Sequence, residues 1–93
     1  MRISDTWQSE MTLEGDAQDA LDVLATFDIE GSYHSARHDK SAAVNAEFVS
    51  AQWGGLTITR DMAVAICGAD YLRRVEERVA EEYVRDQYPE CAA

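Results

Sequence analysis

The sequence predicts an α+β fold, in which a small antiparallel sheet of three to four strands carries one or two C-terminal helices packed on one face. Apolar residues recur at every second position through much of the first 53 residues, as they do in half-buried strands. In the last third they recur at helical spacing. Because the strands come first and the helices last, the pattern favours α+β, and 93 residues suffice for one domain, residues 1–93.

The first two predicted strands span about residues 6–14 and 22–34. In the first, "TWQSEMTLEG" alternates apolar and polar residues before a Gly-Asp turn. In the second, the alternation runs from Val23 to Tyr33 and is rich in residues that suit a pleated surface. Residues 17–24 also fit helical spacing, so the start of this strand is open.

A third strand is predicted at about residues 43–53. Its apolar phase changes between Phe48 and Val49, which predicts a β-bulge that re-aims Trp53. Two glycines then interrupt the pattern, and the "LTIT" that follows is either a short fourth strand or the approach to a helix.

Two helices are predicted, at about residues 60–67 and 70–87. Thr59 is a suitable N-cap for the first and Gly68 a suitable terminator, while Asp70 is a candidate cap for the second. The apolar stripe of the second helix is Leu72, Val75, Val79 and Tyr83. Its polar side offers three i,i+4 ion pairs: Arg73 with Glu77, Arg78 with Glu82, and Glu81 with Arg85. A proline at position 89 ends it.

Negative charge is concentrated in the first third of the chain. The net charge is −10, and residues 1–33 hold eight acidic residues against Arg2 alone. Residues 34–59 are neutral, and residues 60–93 carry five arginines against eight acids. Such a field repels nucleic acid and anionic membranes and speeds encounters with basic surfaces. We therefore expect a basic protein partner, without direct binding to nucleic acid or to a membrane.

No pattern in the sequence predicts a cofactor or metal site. Asp16, Asp19 and Asp22 lack the central glycine and terminal glutamate of a calcium loop, so a solvated acidic turn is favoured. His34 and His38 have the spacing of two helical metal ligands, but the segment indicates a strand end and a loop. Surface histidines are the expected outcome.

No pattern predicts catalysis either. Cys67 lies inside an apolar helical turn, where a buried, inert thiol is the rule. With Cys91 near the end of the chain, the expectation is two free thiols in a reducing compartment. The chain also lacks an apolar run long enough to span a membrane and an export signal. We predict a cytoplasmic protein that is not an enzyme.

Aromatic residues are assigned first to the core. This holds for Trp53 and Tyr83, while Tyr88 lies in the C-terminal tail and is expected to be exposed. Trp53 and Tyr33 are also the candidate anchors if the protein binds a partner.

Carboxylates on alternate strand residues resemble the phosphates of a nucleic acid. Asp28 and Glu30 share one face of the second strand, and Glu47 is placed to join them from the third. Alternate residues project their side chains about 6.8 Å apart, against about 3.4 Å per charge along one DNA strand. The competing explanation is that acidity keeps a small protein soluble and its strand edges unpaired.

The segments "ATFDIEGSYHSARHDKSAAVNAEFVSAQWGGLTITRDM" and "ADYLRRVEERVAEEY" resemble small acidic proteins encoded by bacteriophages and prophages. In these, a long β-hairpin leads through a glycine-containing turn to a short acidic helix. The resemblance covers about residues 20–85 and implies a phage origin. Characterised members of this broad group include inhibitors of host defence such as anti-CRISPRs, several of which resemble nucleic acid.

The leading hypothesis is a phage-derived inhibitor that binds a basic, nucleic-acid-binding surface of a host defence complex, by partial nucleic-acid mimicry. The candidate partner-binding residues are Asp16, Asp19, Asp22, Asp28, Glu30, Glu47, Tyr33 and Trp53. The neutral middle third restricts the mimicry to one side of the molecule. The alternative is a homo-oligomeric phage accessory or assembly protein, such as a homodimer, joined through the helix stripe or a strand edge.

Overall fold

The residues that the structure describes form a four-stranded antiparallel sheet with two helices on one face. The computed structural model describes residues 1–15, 18–35 and 40–91, without the side chains of Gln18 and Asp19. The elements are β1 (Arg2–Gly15), β2 (Gln18–Ser35), β3 (Lys40–Trp53), β4 (Leu56–Thr59), α1 (Arg60–Cys67), α2 (Ala69–Gln87) and the C-terminal 3₁₀ turn η1 (Pro89–Cys91). The strands pair in the order β1-β2-β3-β4. The predicted α+β class is confirmed.

The first two strands extend beyond the stretches of clear apolar alternation. They pair without interruption from Arg2 opposite Ser32 to Leu13 opposite Leu21. The ladder continues through polar residues because each neighbouring backbone is already extended and offers its N–H and C=O groups. Alternation along both strands turns odd-numbered side chains toward the helices and even-numbered side chains away from them.

The predicted bulge lies in β3. Thr26 pairs with Ser50 whereas Phe27 pairs with Phe48, which leaves Val49 as the extra residue. The phase of the strand therefore shifts by one position, as the apolar pattern predicts.

The segment after the two glycines is a strand, β4, which pairs with β3 from Leu56 opposite Trp53 to Thr59 opposite Ser50. Trp53 borders the exposed turn of this hairpin and keeps 45% of its surface accessible. Its predicted position in the core is therefore wrong, because the layer under the helices ends before the hairpin turn.

Helix boundaries follow local chemistry. The Thr59 hydroxyl caps α1 by accepting from the Met62 N–H at 3.3 Å. Gly68 ends α1 with φ of 86°, a region that favours glycine, and it also precedes α2. Asp70 is thus in the first turn of α2 and is not its cap, which corrects the prediction. In the described part of the chain, neither helix has the length and apolar character needed to cross a membrane.

The core lies between the sheet and α2. The four residues of the predicted helix stripe are all buried: Leu72, Val75, Val79 and Tyr83. They cover the inner side chains of the strands, where Phe27 and Phe48 meet edge to face at 5.8 Å between ring centroids. Trp7 meets Tyr83 in the same way at 5.3 Å.

The polar side chains of α2 bond mainly to groups of the sheet, and few of them form ion pairs within the helix. Arg73 pairs with Asp70, and Arg78 donates to the carbonyl of Glu10. Ser9 of β1 donates to Glu82 at 3.4 Å. None of the three predicted i,i+4 pairs is formed. Arg73 pairs with Asp70 instead of Glu77, and Arg78 and Glu82 each bond to a group of β1.

The C-terminal turn folds back on the sheet. Tyr88 stacks on Tyr33 at 4.7 Å between ring centroids, and the Tyr33 hydroxyl donates to Glu90 at 3.0 Å. Tyr88 is thereby half-buried and not exposed as predicted.

An ion pair protects the edge of β3 where β4 ends. The carboxylate of Glu76 accepts from the Phe48 N–H at 2.7 Å and from Arg60 at 2.8 Å. Arg60 also donates to the Phe48 carbonyl at 3.2 Å. Hydrogen bonding to Glu76 raises the pKa of Arg60. The three residues form a closed set of contacts, the edge clasp, that satisfies both backbone groups of Phe48.

We expect Glu76→Ala to lower the free energy of unfolding by about 2 kcal/mol, because it leaves the Phe48 N–H without its acceptor. Arg60→Ala is expected to cost less, since the Arg60 side chain is 43% exposed against 12% for Glu76. Urea unfolding measures both. Arg73→Ala is the control: its pair with Asp70 is exposed, and its loss should change stability by less than about 0.5 kcal/mol. Equal effects of all three substitutions would contradict the clasp.

Alkaline pH should destabilise the protein through Tyr83. Burial, together with a 3.0 Å hydrogen bond to Asp5, raises the pKa of Tyr83 to about 12. The folded protein therefore holds this proton more tightly than the unfolded chain, whose tyrosine pKa is about 10. The stabilisation that the protonated Tyr83 gives the folded protein is complete below pH about 10. It is lost as the pH rises toward about 12.

The size of that loss is about 2 to 3 kcal/mol, since each pKa unit corresponds to about 1.4 kcal/mol. Urea unfolding at pH of about 9 and about 11.5 measures it for the wild type and for Tyr83→Phe. Other groups titrate in both proteins, so the readout is the loss of unfolding free energy between the two pH values, compared between wild type and Tyr83→Phe. Equal losses in the two proteins would show that Tyr83 is not responsible.

Candidate functional site

The candidate site is the outer face of the sheet, which we define as the face opposite the helices. Among the described side chains, strand alternation brings six exposed carboxylates to this face: Glu10, Glu14, Asp22, Asp28, Glu30 and Glu47. Among the strand positions that the structure describes, Arg2 is the one arginine or lysine on the same face. Neither helix covers it, so the surface is open and negatively charged.

At its centre lies the acidic triad, Asp28, Glu30 and Glu47. Asp28 is directly opposite Glu47 in the β2–β3 ladder, and Glu30 is two residues further along β2. Directly opposed side chains lie about 5 Å apart at Cβ, and alternate residues of one strand about 6.8 Å apart. The predicted proximity of the three carboxylates is what the pairing register produces.

The triad forms no ion pair among the described residues, where the ion pairs are Arg60 with Glu76 and Arg73 with Asp70. Of the three carboxylates, Glu47 interacts with a nearby cation, since its charge contributes to the raised pKa of Arg60. Like charges directly opposite each other destabilise a strand pair. The arrangement therefore costs the fold free energy, and a cationic partner would recover it.

Hydroxyl groups border the triad. Ser4 is opposite Glu30 and Thr6 is opposite Asp28 in the β1–β2 ladder. Together these four residues line a shallow depression of about 370 Å³ on the outer face. The surface offers acceptors at its centre and donors or acceptors at its border, a combination suited to guanidinium and ammonium groups.

The other predicted site residues are spread over the molecule. Asp22 shares the outer face but lies toward the far end of β2, where it accepts from the Thr12 hydroxyl at 3.0 Å. Tyr33 lies on the helix-covered side against Tyr88. Trp53 is exposed at the β3–β4 hairpin beside Leu56, which is 57% exposed. Asp16 and the side chain of Asp19 lie outside the described residues.

Sequence reasoning missed two members of the face, Glu10 and Glu14. Their alternation with Met11 and Leu13 was a sufficient signal that they share one side of β1. The alternation does not reveal that β1 pairs with β2. This pairing puts Glu10 and Glu14 on the same face as the triad.

Among the residues weighed for metal or nucleophilic chemistry, those that the structure describes are not grouped into a site. His34 is exposed at the end of β2, and His38 lies outside the described residues. In the described ranges, no group of three or more histidine, cysteine or acidic side chains is placed to hold a metal ion. The Cys67 thiol donates to the Ala63 carbonyl at 3.1 Å, and burial raises its pKa, which disfavours the reactive thiolate.

Comparisons with known proteins add no relative. No protein family matches the sequence, and searches of curated proteins and of solved structures find no similar protein.

Proposed function

We propose that the protein is a non-enzymatic inhibitor that binds a basic, nucleic-acid-binding surface of a host protein or ribonucleoprotein complex through its outer face. It belongs, on this proposal, with phage-derived inhibitors of host defence of the anti-CRISPR kind, and it acts in the cytoplasm of the host. The proposal is supported above all by the opposed carboxylates of Asp28 and Glu47 on an exposed face, where neither forms an ion pair among the described residues.

The mimicry is one-sided. Carboxylates crowd the outer face, whereas the opposite side of the molecule carries α2 with its mixture of arginines and acids. A basic groove that normally holds a phosphate backbone can accept one flat acidic face without enclosing the whole protein. The exposed pair Trp53 and Leu56 at the hairpin provides an apolar contact beyond the charged area.

The alternative from the sequence, a homo-oligomer joined through the helix stripe, has less support. The four residues of this stripe are already buried in the protein's own core: Leu72, Val75, Val79 and Tyr83. A strand edge is the remaining route to self-association, and it would be seen as a doubled mass in solution.

The test is capture of partners from a bacterial lysate on the immobilised protein, at low and at high salt, with identification by mass spectrometry. The proposal predicts a basic, nucleic-acid-binding partner that is lost at high salt, because exposed charge pairs are screened. Recovery of the protein alone, or of partners insensitive to salt, would contradict it.

A further inference from the structure

The free edge of β1 is protected by side chains. Edge strands present unpaired N–H and C=O groups that invite further pairing. On β1, Tyr71 donates to the Thr12 carbonyl at 2.8 Å, and Arg78 donates to the Glu10 carbonyl at 3.3 Å. The Thr6 N–H donates to the side chain of Asp5 at 2.7 Å. This edge is therefore occupied at several points.

One stretch of the β3 edge has no such protection. Residues 50–53 pair with β4, and the edge clasp satisfies both backbone groups of Phe48. Since those groups point away from β2, the backbone groups of every second residue before Phe48 do so as well. These residues are Ala42, Val44 and Ala46. In the described part of the chain, no side chain bonds to them.

A groove runs beside this edge, between β3 and α2. Its β3 wall holds Ala42, Val44 and Ala46, and its α2 wall holds Ala80 and Val84. The part of the groove next to Val84 encloses about 440 Å³. Alanine is uncommon in strands, and here it leaves room for the side chains of an added strand.

The uncompensated charge along the groove is mainly negative. Glu77 and Glu81 are exposed on its α2 side, with Arg85 at one end. Two further charges near the groove are already neutralised, since Arg73 is paired with Asp70 and Glu76 with Arg60. An occupant with lysine or arginine side chains would place its aliphatic stems over Ala80 and its charges beside the two glutamates.

We propose that an extended, basic segment of the partner protein adds to the sheet as a fifth strand along residues 42–46, in the groove between β3 and α2. Main-chain hydrogen bonds to Ala42, Val44 and Ala46 hold the segment, and Glu77 and Glu81 select its basic side chains. This inference rests on the proposed function only for the basic chemistry of the partner. It uses the edge of the sheet and not its outer face.

The probe is a short capped peptide that alternates lysine with threonine, and the readout is amide hydrogen exchange of the ¹⁵N-labelled protein by NMR. At about 90% occupancy, exchange at Ala42, Val44 and Ala46 should slow by about tenfold, because only the free fraction exchanges. A peptide of identical charge, N-methylated at alternate residues, should give no such slowing. Equal protection by both peptides, or by neither, overturns the proposal.

Val44→Pro and Gln8→Pro form a matched pair of variants. Both remove an N–H that points away from the neighbouring strand, where proline is tolerated, but on opposite edges of the sheet. Val44→Pro should weaken peptide binding at least about tenfold, while Gln8→Pro should not change it. Equal effects overturn the proposal.

Failure of this inference can be told apart from failure of the proposed function. The double variant Asp28→Lys with Glu30→Lys, altered only on the outer face, should still show slowed exchange at residues 42–46 when the peptide is added. Loss of that slowing in the double variant overturns the edge proposal. So does slowing without peptide in a protein of doubled mass, because the occupant would then be a second copy.

Discussion

Reversing the charge of Asp28 and Glu30 together, by Asp28→Lys with Glu30→Lys, is expected to abolish partner binding without unfolding the protein. The affinity should fall at least about a hundredfold, or about 2.7 kcal/mol, because two attractive contacts become repulsive. Both side chains are exposed, and the change places a lysine opposite Glu47 in the β2–β3 ladder. Stability should therefore be unchanged or slightly higher. Titration calorimetry with the captured partner and urea unfolding measure the two quantities.

The matched control changes the net charge by the same amount on the other side of the molecule. Asp61→Lys with Asp86→Lys alters one exposed residue in each helix. If only the total charge of the protein matters, the control will weaken binding as strongly as the double variant on the outer face. We expect the control to have a much smaller effect, confined to long-range attraction.

Phe27→Ala is expected to lower the free energy of unfolding by about 3 to 5 kcal/mol. The ring is fully buried at the centre of β2 and packs edge to face on Phe48. Truncation removes apolar contact and leaves a cavity that two rigid strands and a helix cannot close. For a chain of this size, such a loss is a large part of the total stability. Urea unfolding gives the difference in the free energy of unfolding between the two proteins, when both are fitted with the same dependence on urea concentration.

Leu24→Ala is the control within the same strand. Leu24 lies on the outer face and keeps 43% of its surface exposed. Its truncation should cost less than about 1 kcal/mol, since little buried area is lost. Comparable losses at positions 24 and 27 would show that the core does not lie on the side of the sheet that faces α2.

The helices and the bulge could be predicted because their determinants are local. Thr59 and Gly68 lie at the ends of α1 and act through their own side chain or backbone. The change of apolar phase at Phe48 and Val49 is likewise visible in the sequence, since a bulge shifts the period of a strand. The stripe of α2 follows from helical spacing alone.

The rest depends on contacts between distant segments. The pairing of β1 with β2 brings Glu10 and Glu14 to the face of the triad, and no local pattern specifies that register. The edge clasp joins Arg60 and Glu76 to the backbone of Phe48 across separate elements. Residue type alone predicts a core position for Trp53, but its exposure is decided by where the helices end over the sheet.

We propose that the outer face occupies a surface that otherwise holds nucleic acid. The most direct measurement is the affinity of the captured partner for this protein in the presence of increasing concentrations of duplex DNA. We predict competition, with an apparent dissociation constant that rises linearly with the DNA concentration. Simultaneous binding, with an affinity that DNA leaves unchanged, would contradict it.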